Sequence, residues 1–338
     1  MIKKFYAFLK KIIIENYLYL LFLLVCCATL TYPLPYYIYN GGGLINVDKK
    51  IDFNGKTESL GSYNMCYVSE IRATIPTYLL SLIRFDWERV KIEDVTLNKN
   101  ETSKDVQVRD RIYLDTGNIS AVLNAFKYAN KDIKIISNHL VVVYVLEEAN
   151  NDLKIGDEIV SINGDKVNSL NDISLILDKY NFGDKVNIKV VNKNKEYDRY
   201  AYLINEHNRK LLGISIEEKK TIATNPEINF KFYKTESGPS GGLILSLALY
   251  DYLIKDDVTK GLKISGTGTI DNDGNVGEIG GIKYKLAGAV KKKADIFFVP
   301  KGANYKEAVA LKKEKNYKIK VVGVTTFYEA IKYLEDMS

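Results

Sequence analysis

Cysteine is scarce in this chain, with three among 338 residues: Cys26, Cys27 and Cys66. Two are adjacent inside an apolar run and the third stands alone, which excludes an internal disulfide framework and leaves stability to packing. Histidine is scarcer still. His139 and His207, taken with the cysteines, show no metal-ligand spacing, so no metal site is expected. A serine–histidine–aspartate triad would have to use one of two histidines that stand in no motif. Lys and Arg number 48 against 42 Asp and Glu, for a net charge of +6, with no concentrated basic stripe. The short Lys run at 291–293 sits on a helix-like stretch and reads as a solvated face, so nucleic acid is not an expected partner. A nucleotide is not expected either. Gly55-Lys56-Thr57 is the one Gly-Lys-Ser/Thr match, and Lys50 stands where a phosphate-binding loop needs glycine.

Charge is missing altogether from Asn16 to Val47. Within that stretch Tyr17–Ile38 is rich in Leu, Tyr, Phe, Ile and Val, and about 20 such residues span a hydrocarbon core. Lys3, Lys4, Lys10 and Lys11 precede it, and Tyr32, Tyr36, Tyr37 and Tyr39 gather at its far end. These features predict one transmembrane helix, with residues 1–40 as cytoplasmic tail and anchor. A cleaved signal peptide would have a shorter apolar region ending at an A-x-A-like site. Bulky Val25 before Cys26 argues against a lipoprotein. The expected location is the cell membrane, single-pass, with the N-terminus cytoplasmic and everything beyond residue 40 extracytoplasmic.

At 338 residues, with 46% hydrophobic and 27% charged side chains, the chain has room for two or three packed modules. Residues 41–110 read as a mixed α/β region whose function is not legible. Thr74–Phe85 is a partly apolar helix and Ile112–Leu114 a short strand; Asn118 and Ser120 offer helix-start chemistry for a stretch through Tyr128. Leu140–Leu146 is a β-branched run suited to a buried strand. Gly156-Asp157 then opens a turn–strand–turn that closes at Asn163-Gly164, a hairpin signal. Leu170, Ile173, Ile176, Leu177 and Tyr180 recur at helical spacing, and Val186, Ile188 and Val190 alternate with polar residues.

The order of these elements and the string LKIGDEIVSINGDKV resemble a bacterial PDZ domain, placed at 111–207. The resemblance implies a peptide-binding groove between Leu140, Val141 and Val143 on the strand and Ile173 and Ile176 on the helix, where an extended peptide adds as a strand. Ser137-Asn138-His139 stands where the usual Gly-hydrophobic-Gly carboxylate loop would be. A purely structural β-domain is the rival reading.

From residue 208 strands and helices alternate. Strands are expected at 213–216, 228–233, 262–265, 296–299 and 319–322, and helices at 241–254, 282–292, 304–313 and 326–334, which makes 208–338 an α/β domain. Two glycine-rich spots carry the candidate chemistry, Gly238-Pro239-Ser240-Gly241-Gly242 and Gly280-Gly281-Ile282-Lys283. Ser240 begins an apolar helix, where unpaired amides could receive an oxyanion, and the flanking Gly238 and Gly241 permit sharp turns and close approach. Helical spacing groups Lys283 with Leu286, Ala287 and Val290 and turns Lys285 away alongside Lys292. A lysine on an apolar face loses its proton more readily and can then serve a serine as general base.

GPSGG, followed 43 residues later by the lysine of GGIK, is similar to the serine–lysine proteolytic domain of the Lon family, peptidase family S16. The intervening SGTGTIDNDGNVGEIGGIKYKLAGAV follows that family's pattern almost continuously. The resemblance implies Ser240 as nucleophile, Lys283 as base and Thr267 as a hydroxyl that orients the amine. Ser237 stands where ATP-dependent members carry aspartate, and Gly241 where they carry alanine. Anchor, PDZ-like module and Lon-like domain together resemble the bacterial membrane-anchored PDZ–Lon-like proteases. The expected architecture is thus multidomain: one transmembrane helix, a mixed α/β region, a β-rich PDZ-like domain and an α/β Lon-type proteolytic domain. The expected activity is an ATP-independent, cofactor-free serine endopeptidase acting on protein or peptide substrates, with a homo-oligomeric ring implied by the resemblance. A catalytically silent PDZ-like scaffold and a narrow self-processing protease remain as alternatives.

Overall fold

The computed structural model of the chain describes residues 2–53, 59–84, 86–254 and 256–337; Gly55-Lys56-Thr57 lies outside the described residues. Two units are present, Met1–Gly41 with Ser69–Val95, and Gly42–Val68 with Thr96–Ser338. The smaller begins with α1 (Ile2–Glu15) and α2 (Tyr17–Thr31). Pro33 and Pro35 then break the helix, because proline offers no amide and disfavours helical backbone in the residue before it. The chain continues as strand β1 (Pro33–Asn46). In the larger unit β2 (Ile51–Phe53) follows, then β3 (Ser62–Thr74), which has residues in both units. Helix α3 (Ile75–Ile83) starts on a Thr74–Thr77 capping box, and β4 (Glu88–Lys91) pairs antiparallel with Tyr36–Tyr39 of β1.

This arrangement overturns the expected transmembrane helix. The uncharged stretch is divided between helix and strand, and the 15 residues of α2 reach only about 22 Å against a hydrocarbon core of roughly 30 Å. No helix among the described residues is long and apolar enough to cross a membrane. The single-pass membrane location inferred from that helix falls with it.

The larger unit contains α4 (Ser103–Tyr128), opened by a Thr102–Asp105 capping box. Ile112–Leu114, expected as a strand, lies inside this helix, and a single helix runs through residue 110. Its apolar residues form no clean stripe because several of its faces are covered. Ile112 meets Val141 and Val143, whereas Ala121, Val122, Ala125 and Phe126 join the main core. Buried Arg109 is paired with Glu101. Next come β5 (Ile133–Val145), β6 (Glu158–Ile162), β7 (Asp165–Lys166), α5 (Leu170–Leu177), β8 (Lys185–Asn192), β9 (Lys195–Tyr202), the hairpin β10 (Ile204–Glu206) and β11 (Arg209–Leu211), and β12 (Ile214–Thr224). They build a sheet in the order β12-β5-β6-β8-β9, with β7 beside β6. Val186, Ile188 and Val190 turn to one side with Leu140, Val142, Ile159, Ile162, Ile173 and Leu177 to form a separate core, as the period-2 pattern requires.

The remainder is a layered α/β structure. Strand β13 (Ile228–Phe230) pairs with β2, and a loop leads to α6 (Gly242–Leu253), all twelve of whose residues are buried. Strands β14 (Lys263–Gly266), β17 (Ile296–Pro300) and β18 (Lys320–Val324) join β3 in parallel, in the order β18-β17-β14-β3; β15 (Thr269–Ile270) and β16 (Val276–Gly277) form a small ribbon. Helices α7 (Ile282–Lys291), α8 (Ala303–Glu314) and α9 (Phe327–Glu335) complete the unit. Ile296 and Phe298 face the core shared with α6 and α9, while Phe297 and Val299 face the one shared with α7 and α8. A parallel sheet covered on both faces in this way leaves its strand carboxyl ends as the natural place for a site.

Candidate active site

Three segments converge beyond the carboxyl end of β14. From one face of the sheet comes the turn before α6, from the other comes α7, and between them lies Thr267, the residue that follows β14. Gly266 lets this junction close, since a Cβ there would lie 2.6 Å from the Phe298 carbonyl oxygen and 2.8 Å from Ile244 Cδ1.

Ser240 occupies the turn immediately before α6 and is half-buried. Gly238 holds φ +86°, the left-handed backbone that glycine adopts without strain. A Cβ on Gly241 would approach Met65 Sδ at 2.7 Å. The Gly242 amide donates to the Pro239 carbonyl at 3.1 Å and the Leu243 amide to that of Gly268 at 3.1 Å. The Ser240 and Gly241 amides bond no acceptor among the described residues.

Helix α7 places its two lysines opposite to the sequence expectation. Ile282, Leu286 and Ala289 are 0–1% exposed and define its inward stripe. At 100° per residue, buried Tyr284 and Gly288 widen that arc to one side so that it takes in Lys285, while Lys283 falls outside it. Lys285 is 5% exposed, whereas Lys283 is exposed with its ammonium over the Tyr284 ring. Leu286 belongs to both candidate stripes, so the phase turns on Ile282 and Ala289 against Ala287 and Val290, and the latter two are only half-buried.

The buried lysine reaches the serine turn through one hydroxyl. Lys285 Nζ donates to Thr267 Oγ1 at 3.2 Å, and Thr267 Oγ1 donates to the Ser240 carbonyl at 3.0 Å. The Gly268 amide donates to the same carbonyl at 2.8 Å. Thr267 is fully buried. Burial lowers the Lys285 pKa from 10.5 to about 8, with the neighbouring Cys66 acting weakly the other way. The Cys66 thiol is pushed up to about 12 by the same burial. Of the residues singled out in the sequence, Ser240, Thr267, Gly238 and Gly241 are thus brought together, and Lys283 is not. Lys285 takes its place, and the stripe from Ile282 to Ala289 is the signal that could have found it.

The residues expected to line a peptide groove do not form one. Leu140, Val141 and Val143 lie on β5, whose length is paired with β12 on one side while Leu140 and Val141 pair with β6 on the other. No strand can be added there. Ile173 and Ile176 are 7% and 6% exposed and point into the core. This sheet has β12 at one edge, entered through Gly213 at φ +71°, and β9 at the other.

On the other side of β5, His139 Nδ1 lies 2.7 Å from Glu158 Oε1 and its Nε2 2.8 Å from Ser137 Oγ and 3.3 Å from Thr221 Oγ1. This serine–histidine–carboxylate chain sits mid-strand opposite Thr221, where amides run in a ladder and do not converge on one point as they do at a helix start. Among the described residues, no group of His, Cys, Asp and Glu is placed to hold a metal.

Comparison with known proteins identifies a family over the region that holds Ser240, Thr267 and Lys285. Residues 233–335 match the family model of the Lon protease (S16) C-terminal proteolytic domain. The chain is 32% identical over 119 residues to the Lon protease of Mesomycoplasma hyopneumoniae strain 232, covering 32% of this chain and 13% of that protein. It thus spans about an eighth of the length of this curated relative. Among solved structures it is similar to the PDZ domain of an SdrC-like protein from Listeria monocytogenes, at 20% identity and TM-score 0.22, covering 25% of this chain and 92% of that one. It is also similar to a solution structure from Geobacillus thermodenitrificans, at 23% identity and TM-score 0.21, covering 23% and 94%. Residues 233–335 therefore match a serine-peptidase domain of the Lon S16 type.

Proposed function

We propose that this chain is a serine endopeptidase that cleaves protein or peptide substrates without nucleotide or metal, with Ser240 as nucleophile and Lys285 as general base. The observation that carries this reading is the buried Lys285 amine, joined through Thr267 Oγ1 to the Ser240 turn. In water a lysine holds its proton at neutral pH and cannot accept one from serine; desolvation brings the amine into the useful range.

Neutral Lys285 takes the hydroxyl proton of Ser240 as Oγ attacks the substrate carbonyl carbon. Charge then develops on the carbonyl oxygen, for which the amides of Ser240 and Gly241 at the start of α6 are ready donors. The Lys285 ammonium returns the proton to the departing amine, leaving an acyl-serine. Water attacks this ester with Lys285 accepting its proton, and the Lys285 ammonium then gives that proton to Ser240 Oγ as the carboxylic acid product leaves. Thr267 fixes the amine without supplying charge of its own. An extended substrate would add along the free edge of β12, where main-chain hydrogen bonds give affinity independent of sequence.

The test is cleavage of casein by the purified chain without nucleotide, alongside Ser240→Ala and Lys285→Met. Turnover by the parent and none by either variant is expected. Equal turnover by Ser240→Ala would end the assignment.

A further inference from the structure

Helix α4 precedes the matched residues 233–335, yet it holds the approach to Ser240 at several points. Residues 231–241 contain no regular secondary structure; Phe232 packs against the main core and Lys50 pairs with Glu236, while Tyr233 is 70% exposed. Hydrogen bonds from α4 add a further hold nearer Ser240. Arg111 Nη1 donates to the carbonyls of Tyr233 at 3.0 Å and Glu236 at 3.2 Å. The Gly238 amide donates to the Asp110 carbonyl at 2.9 Å. A Cβ at Gly117 would lie 3.3 Å from Pro239 Cβ, so the helix backbone approaches the residue before Ser240 closely.

Arg111 is itself held from behind. Asp115, one turn further along α4, lies 3.4 Å from Arg111 Nε through Oδ1 and accepts Lys219 Nζ at 2.9 Å through Oδ2. Lys219 belongs to β12, an edge of its sheet. A continuous polar chain therefore runs from that edge through Lys219, Asp115 and Arg111 to the loop carrying Ser240. The planar guanidinium suits this place: one side of its fork meets two carbonyls while Nε meets a carboxylate, which a single ammonium cannot reproduce.

We propose that Arg111, oriented by Asp115, is a positioning residue for cleavage at Ser240, and that Lys219 ties this support to the strand where an extended substrate would dock. The proposal rests on the serine-peptidase reading above. Arg111 touches neither substrate nor the reacting atoms, so its loss should misplace Ser240 while leaving substrate binding nearly intact. Displacements of about 1 Å at a reacting group cost up to roughly a hundredfold in rate.

The experiment compares the full chain with Arg111→Ala, Arg111→Lys and Asp115→Asn, using Ser240→Ala as the inactive control. Steady-state cleavage of a short fluorogenic peptide is measured together with hydrogen exchange of the amides in 233–241. Arg111→Ala should lower kcat by about tenfold or more with KM within about twofold, and should speed exchange in that loop alone. Arg111→Lys should recover part of the loss, and Asp115→Asn should show a smaller loss of the same kind. Parent-like kcat and unchanged loop exchange in Arg111→Ala would overturn the proposal, as would a loss confined to KM. Arg111 is 39% exposed, so the alanine variant should fold; if it does not, Asp115→Asn decides by the same criteria. A parent chain that cleaves nothing would defeat the serine-peptidase reading, and loop exchange would still show whether Arg111 holds the turn.

Discussion

Replacing Lys285 by methionine should separate catalysis from stability. Burial lowers its amine from 10.5 to about 8, so at pH 7 roughly a tenth of molecules carry it neutral, against about 0.03% for an unperturbed lysine. That difference is a gain of about 300-fold in the reactive form. It also has a cost. The unfolded chain binds this proton more tightly than the folded one, so stability rises with pH between about 8 and 10.5 and carries the full penalty below 8. A shift of this size corresponds to about 3 kcal/mol. Lys285→Met, which keeps a similar apolar stem, should therefore abolish turnover and stabilise the fold at pH 7 by up to about 3 kcal/mol, a gain that shrinks toward pH 10. The assay pairs peptide cleavage from pH 6 to 10 with urea unfolding at each pH. The parent rate should climb through pH 8 and then level off. Lys285→Arg should be inactive, since guanidinium keeps its proton, while Lys283→Arg should work like the parent. Retained cleavage by Lys285→Met, or loss in Lys283→Arg alone, would refute the reasoning.

The remaining expectations are narrower. Ser240→Ala should end cleavage with an unfolding midpoint close to the parent's, because the hydrogen bonds of this residue run through its carbonyl. Thr267→Val keeps the shape but removes the link between amine and serine turn; a fall in kcat of about tenfold is expected with a stability loss of about 1–3 kcal/mol, and a parent-like rate would show the hydroxyl to be idle. Ile173→Ala should cost about 2–5 kcal/mol and reduce cleavage of protein and short-peptide substrates alike, whereas a rise in KM for proteins alone would place Ile173 in a groove.

By itself the sequence determined the main alternating helices and strands from residue 241 onward, because period-2 and helical patterns are local properties. The expected helix at 282–292 is observed as Ile282–Lys291, and the expected strand at 296–299 as Ile296–Pro300. It also marked Ser240, since glycine-flanked turns before an apolar helix are written in consecutive residues. Tertiary structure decided the rest. Apolar length suggested a membrane span, but Pro33 and Pro35 redirected the chain into β1 and its pairing with β4. The interior of α4 escaped the pattern because its apolar residues serve two different cores and trace no single stripe. Leu140 to Val143 read correctly as a buried strand, yet burial does not reveal which neighbours flank a strand, and β12 occupies the edge expected for a peptide. The choice between Lys283 and Lys285 had the same origin. Two lysines two residues apart on one helix point in nearly opposite directions, and only the face packed against Cys66, Phe297 and Val299 determines which of them loses water.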